Sequence, residues 1–305
     1  METSITNRLI GIEIEAVLPI VGTGNNVDVQ RLLAEILTAQ GIRSVARQYS
    51  HDPVTPGCIL AVEHDGSLRD ETKYAGLRWS HVEVKTMPMT WTQVNETLPR
   101  ALEIIRYCGA RVNHSCGMHV HHHLPEVVEH PEVVRSLQHL WWRFHKVMYG
   151  LVAPSRISNN YCFPPQPVDA TRFDHCRTHE KLSEVLGRVD RHNGLNLTNL
   201  ASGGRQTVEW RIHHGTVEFD KIKAWVLATQ RWVEHAVARS CHYRPDPMPN
   251  TQAGLNNLLV TTGLKPNSRI YRKVDKDLRQ VGKFLLGRWK NFNLPRGLKR
   301  KAVAA

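Results

Sequence analysis

The six cysteines of this 305-residue chain (Cys58, Cys108, Cys116, Cys162, Cys176, Cys241) are scattered and form no C-x-x-C pair. That excludes a zinc ribbon and argues against a disulfide framework, so the thiols read as core residues of a protein kept reduced. No run approaches the ~18–20 consecutive apolar residues of a membrane span, and Met1–Arg8 does not open like a signal peptide. The expectation is a cytoplasmic protein with no membrane partner. There is no P-loop and no G-x-G-x-x-G, so any nucleotide must be held without those phosphate cradles. No G-x-S-x-G marks a serine nucleophile, and no internal repeat points to a solenoid.

Acid is scarce at one end only. Residues 264–305 hold 13 of the 40 Lys/Arg and just two acids, Asp275 and Asp277, a net +11; the remaining chain carries a net +1. A neutral body with a basic tail fits either a polyanion-binding extension or a solvated helix. The stretch RPDPMPN at 244–250 is the clearest linker. We therefore expect a catalytic domain over 1–243, followed by a linker and basic helical extension over 244–305.

Hydrophobic periodicity predicts strands over Leu9 to Val17 (ending at Pro19), Ile59 to Asp65, His81 to Thr86, His119 to Leu124 and Gln206 to His213. Helices are expected from an Asp28 cap to about Gln40, over Thr92 to Tyr107, from Pro131 onward, over Glu180 to Arg188, and over Phe219 to Arg239. The irregular alternation, with charge on one strand face, favours an α+β fold: a mostly antiparallel sheet with helices packed on one face.

The strands raise a sharper question. In GIEIE, Glu13 and Glu15 share one strand face, where like charges repel unless a cation intervenes. Glu63 and Asp65 repeat the spacing, and Glu63 reads as the less certain acid, merely exposed. Glu83 shares a face with Lys85, and Glu209 with Arg211 and His213. His119, His121 and His123 share another. Such a face suits Mg²⁺ or Mn²⁺, which prefer oxygen ligands and tolerate an imidazole. An arginine beside a liganding glutamate would grip the same phosphate. The HVHHH run, which includes His122, equally suits zinc. Cys116 and His114 read as loop or core residues.

The order of these motifs carries a resemblance: G-I-E-I-E, H-D-G-S-L, V-E-V-K-T, C-G-M-H-V-H and T-V-E-W-R-I-H-H-G-T. The series resembles the amidoligase family of the carboxylate–amine ligase superfamily, relatives of glutamine synthetase and glutamate–cysteine ligase, over roughly Leu9 to Ala238. The resemblance implies a glutamine-synthetase-like curved sheet and an amide-forming reaction through an acyl phosphate. ATP is the implied phosphoryl donor, with two or more Mg²⁺ or Mn²⁺ ions. It implies Glu13, Glu15, Asp65, Glu83, His119 and Glu209 as metal ligands. His119, His121 and Arg211 fall to the nucleotide and Glu209 and Arg211 to catalysis, with Asn196 a further nucleotide-contact candidate and Lys85 a further catalytic one from this chain's own residues. Lys85 departs from the small polar residue usual in the family, which opens the metal count.

The implied substrates are a small-molecule or peptide carboxylate and an amine, in a chain that can be a homo-oligomer. Loops 66–80, 154–173 and 201–206, with Arg78, Asn113 and Arg205, are candidate substrate contacts. Residues 264–305 offer a site for an anionic partner such as nucleic acid. Two alternatives come from other classes: a metal-dependent hydrolase built on the HVHHH run, and a non-enzymatic nucleic-acid-binding protein acting through its tail.

Overall fold

Alternating apolar residues build the strands. The computed structural model describes residues 5–50, 52–71, 76–201, 205–239, 246–266 and 275–295. In chain order the strands are β1 (Ile10–Ile20), β2 (Ser44–Ala46), β3 (Leu60–His64), β4 (Arg78–Thr86), β5 (Gly117–His123), β6 (Leu195–Asn196) and β7 (Thr207–His214). The helices are α1 (Asn26–Ala39), α2 (Trp91–Tyr107), α3 (Val133–Tyr149), α4 (Asp169–Arg172), α5 (His179–Leu186), α6 (Phe219–Ala238), α7 (Gln252–Thr261) and α8 (Lys276–Asn293). β1 with β4, β3 with β4 and β6 with β7 pair antiparallel, and β2 with β3 parallel, in a mixed α+β protein with a mostly antiparallel sheet. The chain forms two compact units. No helix among the described residues is long and apolar enough to cross a membrane.

The first unit comprises Asn7–His121 with His213–Lys223. Its strands run in the order β2-β3-β4-β1-β5. Register sorts the side chains into rows across the sheet. Ile14, Val84 and Val62 stand opposite one another, all apolar and buried. The alternate row is Glu15, Glu83 and Glu63, and beside it runs Glu13, Lys85 and Ala61. Helix α1 lies against β2, β3 and β4 with Leu33, Ala34 and Leu37 buried.

Two local expectations change here. Asn25, not Asp28, caps α1: its side chain accepts the N–H groups of Val27 and Asp28, while Asp28 accepts the Asn25 N–H, a capping box. Strand β1 does not stop at Pro19 but runs on to Ile20, with Pro19 opposite Trp79. On its other side β1 last meets Arg111, through a bridge at Val17. Beyond that bridge the missing proline N–H breaks no ladder bond.

The second unit comprises His122–Ile212 with the described residues before Asn7 and after Lys223. Its core is aromatic. Trp210 of β7 lies edge-on to Trp141 of α3 and Trp232 of α6, with centroids 5.6 and 5.1 Å away. Gly194 admits no side chain, because a Cβ there would run into Ile212, Tyr149 and Trp141. Within the basic C-terminal segment, Lys276–Asn293 form α8. That helix is bound into this unit: Trp289 donates its indole N–H to Asn250, and Asn293 donates to the Gly150 carbonyl. Residues 267–274 and 296–305 of the tail lie outside the described residues, as do 244–245 of the linker, 202–204 of loop 201–206 and 72–75 of loop 66–80.

Candidate active site

In the first unit the period of β1 sets Glu13 and Glu15 on one sheet face, where they meet residues of β5. The contacts Gly11 with His121, Glu13 with His119 and Glu15 with Gly117 advance in opposite directions along the two strands, as antiparallel neighbours do. His119 stands between the two carboxylates: Nδ1 lies 3.0 Å from Glu13 Oε2, and Nε2 lies 3.5 Å from Glu15 Oε1. His121 Nε2 is 3.3 Å from the other Glu13 oxygen. The backbone N–H of Gly117 donates to Glu15. The like charges that the sequence sets two residues apart are thus held by two imidazoles and a peptide N–H.

Across the sheet, one oxygen or nitrogen from each of Glu15, Glu83 and His119 lies within 4.8 Å of the others, a geometry able to hold a metal ion. All three residues are buried. Burial raises the Glu83 carboxyl well above the usual range, and the charges of Glu13 and Glu15 add to it against the opposing pull of Lys85. A cation would relieve that repulsion. For Glu13, burial also works upward, but His121 and His119 together outweigh it and hold the carboxyl well below its ordinary value. Two carboxylates with one imidazole suit Mg²⁺ or Mn²⁺.

Lys85 points into the same face. Its Nζ lies 2.8 Å from Glu63 Oε2, 2.9 Å from Glu83 Oε2 and 3.1 Å from the Ser50 carbonyl, with the Tyr49 ring centroid 4.4 Å away. Burial works to lower its pKa, yet Glu83 and Glu13, helped by hydrogen bonds to Glu63 and Glu83, raise it. Glu63 itself corrects the sequence reading. It is completely buried, not exposed, and it also accepts from Arg47 Nε at 2.7 Å and from the Ser50 N–H at 3.1 Å. Asp65 stands just past the end of β3, where it accepts the Ser67 N–H in a turn.

Arg47, Ser50 and Tyr49 were invisible as site neighbours, since only the parallel β2–β3 pairing brings them over Glu63. His81 shares the β4 face with Glu83, and its Nε2 is 2.8 Å from Asp70. Two candidate contact residues also hold the backbone. Arg78 donates to the carbonyls of Gly22 and Gly24, and Asn113 donates to the Arg69 carbonyl. Cys116, a core residue as expected, has its thiol pushed up to about 12, mainly by burial. Gly215 of the HHGT motif donates its N–H to the Cys116 carbonyl, and a Cβ on it would come within 2.5 Å of the Cys116 Cβ.

In the second unit β7 and β6 pair Glu209 with Asn196. Asn196 Nδ2 donates to Glu209 Oε2 at 2.7 Å, while its Oδ1 accepts the N–H and hydroxyl of Thr198 at 2.9 and 2.8 Å. Arg211 donates through Nη1 to the other Glu209 oxygen and through Nε to the Tyr161 carbonyl at 2.9 Å. Both groups are buried, with Trp210 between them on the opposite face, inside the aromatic core. Of the imidazole run, His122 pairs with Thr229 at 2.8 Å. It thus faces away from the direction a zinc site on HVHHH would need.

No curated protein matches the chain. A solved structure of the complex between prokaryotic ubiquitin-like protein Pup and its ligase PafA is similar at 12% identity and a TM-score of 0.40, covering 99% of this chain. The chain spans 66% of that chain's length, just under two thirds. The family model described as "Putative amidoligase enzyme" matches residues 6–233, which include the acids, imidazoles and arginines of the candidate site. By that match, the chain belongs to the amidoligase family.

Proposed function

We propose that this protein is an ATP-dependent carboxylate–amine ligase. The γ-phosphoryl group of ATP passes to a substrate carboxylate, and an amine then displaces phosphate from the acyl phosphate to form an amide. The observation that carries the reading is the convergence of Glu15, Glu83 and His119 on one buried sheet face, in a member of the amidoligase family. Those three residues would hold Mg²⁺ or Mn²⁺, with Glu13 beside them; the ion, when bound, supplies positive charge against the phosphate oxygens.

The remaining work falls to the chain. The Gly117 N–H fixes the Glu15 carboxylate, and His119 keeps Glu13 and Glu15 from repelling each other. Asn196 and Arg211 lock both oxygens of Glu209. The Tyr161 carbonyl steadies the Arg211 guanidinium, a cation suited to a transferring phosphoryl group. We assign catalysis to residues 1–243 and regard residues 264–305 as a site for an anionic partner. The substrates we propose are a small-molecule or peptide carboxylate and an amine.

The test is phosphate release from ATP with Mg²⁺ across a matrix of carboxylates and amines. Release requiring both substrates, and falling at least about 100-fold in Glu83→Ala, is expected. ATP with Mg²⁺ should also raise the melting temperature. If zinc alone stabilises the protein and nucleotide does nothing, the ligase reading is overturned in favour of a hydrolase.

A further inference from the structure

Lys85 is the feature of the acidic face that a metal-binding reading leaves unexplained. Three oxygens converge on its Nζ from three directions: Glu63 Oε2 at 2.8 Å, Glu83 Oε2 at 2.9 Å and the Ser50 carbonyl at 3.1 Å. Two carboxylates and a carbonyl are the hard oxygen donors that divalent cations select. The contact lengths are those of an ammonium; an ion at 2.0–2.6 Å from the same oxygens would need only a small inward shift. Glu83 is shared, because it also belongs to the Glu15–Glu83–His119 group. Its Oε2 is buried and lies 2.9 Å from the ammonium, so Glu83 faces a cation already present in the chain.

Register explains why the seat exists. Glu63, Glu83 and Glu15 form one lateral row over β3, β4 and β1, and Lys85 stands one row along on β4. Three adjacent carboxylates with both ends buried call for more than one cation. Arg47 supplies positive charge at the outer oxygen of Glu63. Lys85 supplies it between Glu63 and Glu83.

We propose that Lys85 is a built-in cation. Its ammonium fills a three-oxygen seat that would otherwise take a divalent ion, so this unit binds one ion fewer than its carboxylates could hold. The proposal rests on the metal-binding reading of the same face and fixes its stoichiometry. The tether makes one positive charge permanent, independent of the metal supply and unable to dissociate with product.

The experiment is Mn²⁺ titration of the full chain by calorimetry and by electron paramagnetic resonance, without nucleotide, for the parent, Lys85→Ala and Lys85→Ala/Glu63→Gln. The expected result is one additional equivalent of Mn²⁺ bound by Lys85→Ala, lost again in the double variant. Equal stoichiometry in the parent and Lys85→Ala overturns the proposal and leaves the ligase reading standing. If neither the parent nor Lys85→Ala binds Mn²⁺, the proposal is overturned, and the ligase reading is judged separately by phosphate release with ATP. Should Lys85→Ala be unfolded without metal, Mn²⁺ is expected to refold it, followed by circular dichroism. A variant that stays unfolded at saturating Mn²⁺, while Lys85→Arg folds, refutes the seat.

Discussion

Replacing Glu63 by alanine tests how much of the first unit's stability hangs on the charges beneath its acidic face. The carboxylate is completely buried and serves two cations and a peptide N–H, so the substitution strands Arg47 and Lys85 together. Removing one partner of a buried ion pair costs about 3–5 kcal/mol. Neither cation is left bare, however. Arg47 keeps the carbonyls of Asp52 and Pro53 at 2.9 and 2.8 Å, and its side chain is 19% exposed. Lys85 keeps Glu83 and the Ser50 carbonyl. The expected loss therefore sits near the lower end, about 3 kcal/mol.

At a few degrees per kcal/mol for a chain of this size, that is a fall of roughly 6–12 °C in Tm. Urea unfolding followed by tryptophan fluorescence gives the free energy, and the difference should survive 1 M salt because buried pairs are screened little. Glu63→Gln, which keeps the volume and one acceptor, should cost about 1.5–3 kcal/mol. A loss below about 1 kcal/mol for Glu63→Ala, or one that vanishes in salt, would show that the pair behaves as a surface pair. The burial argument would then be refuted.

Gly194→Ala should destabilise the second unit by about 1–3 kcal/mol or more, since the added methyl meets Ile212, Tyr149 and Trp141; a neutral effect in denaturant titration would contradict that packing. His235 is buried with neither ring nitrogen hydrogen-bonded, and burial, with Arg239 and Arg231 nearby, lowers its pKa from 6.5 to about 4. The unfolded chain then binds a proton that the folded one refuses, so its contribution to stability is full above pH 6.5 and is lost as pH falls toward 4. The parent should lose stability relative to His235→Leu across that window, and a parent–variant difference constant from pH 7 to pH 4 would rule this out.

Strand period made much of the face legible: GIEIE, HVEVK and TVEWR each alternate, so Glu13 with Glu15, Glu83 with Lys85, and Glu209 with Arg211 could be grouped from spacing alone. What spacing could not supply was register. That Glu15 stands opposite Glu83 and Glu83 opposite Glu63 follows from how β1, β4 and β3 align, a tertiary choice made by the apolar row Ile14–Val84–Val62. Without it Glu63 reads as an exposed acid. Strands as short as β2 and β6 carry too few residues to show a period, yet they bring in Arg47 and fix Asn196 against Glu209. The α1 cap slipped from Asp28 to Asn25 because both residues cap well and only the backbone path decides between them.

The partners of the GIEIE carboxylates lie far along the chain: Glu13 and His119 are 106 residues apart, and Glu15 and Gly117 are 102 apart. At a synthesis rate of about 5–20 residues per second, β1 leaves the ribosome roughly 5–20 s before its imidazoles do. Throughout that interval it is a β-prone apolar ribbon with no strand beside it on the β5 side, the kind of segment that recruits wrong partners. Its two unneutralised glutamates then repel any copy of the same strand on a neighbouring nascent chain. The residues that hold the folded face together thus act, before the fold exists, as gatekeepers against aggregation.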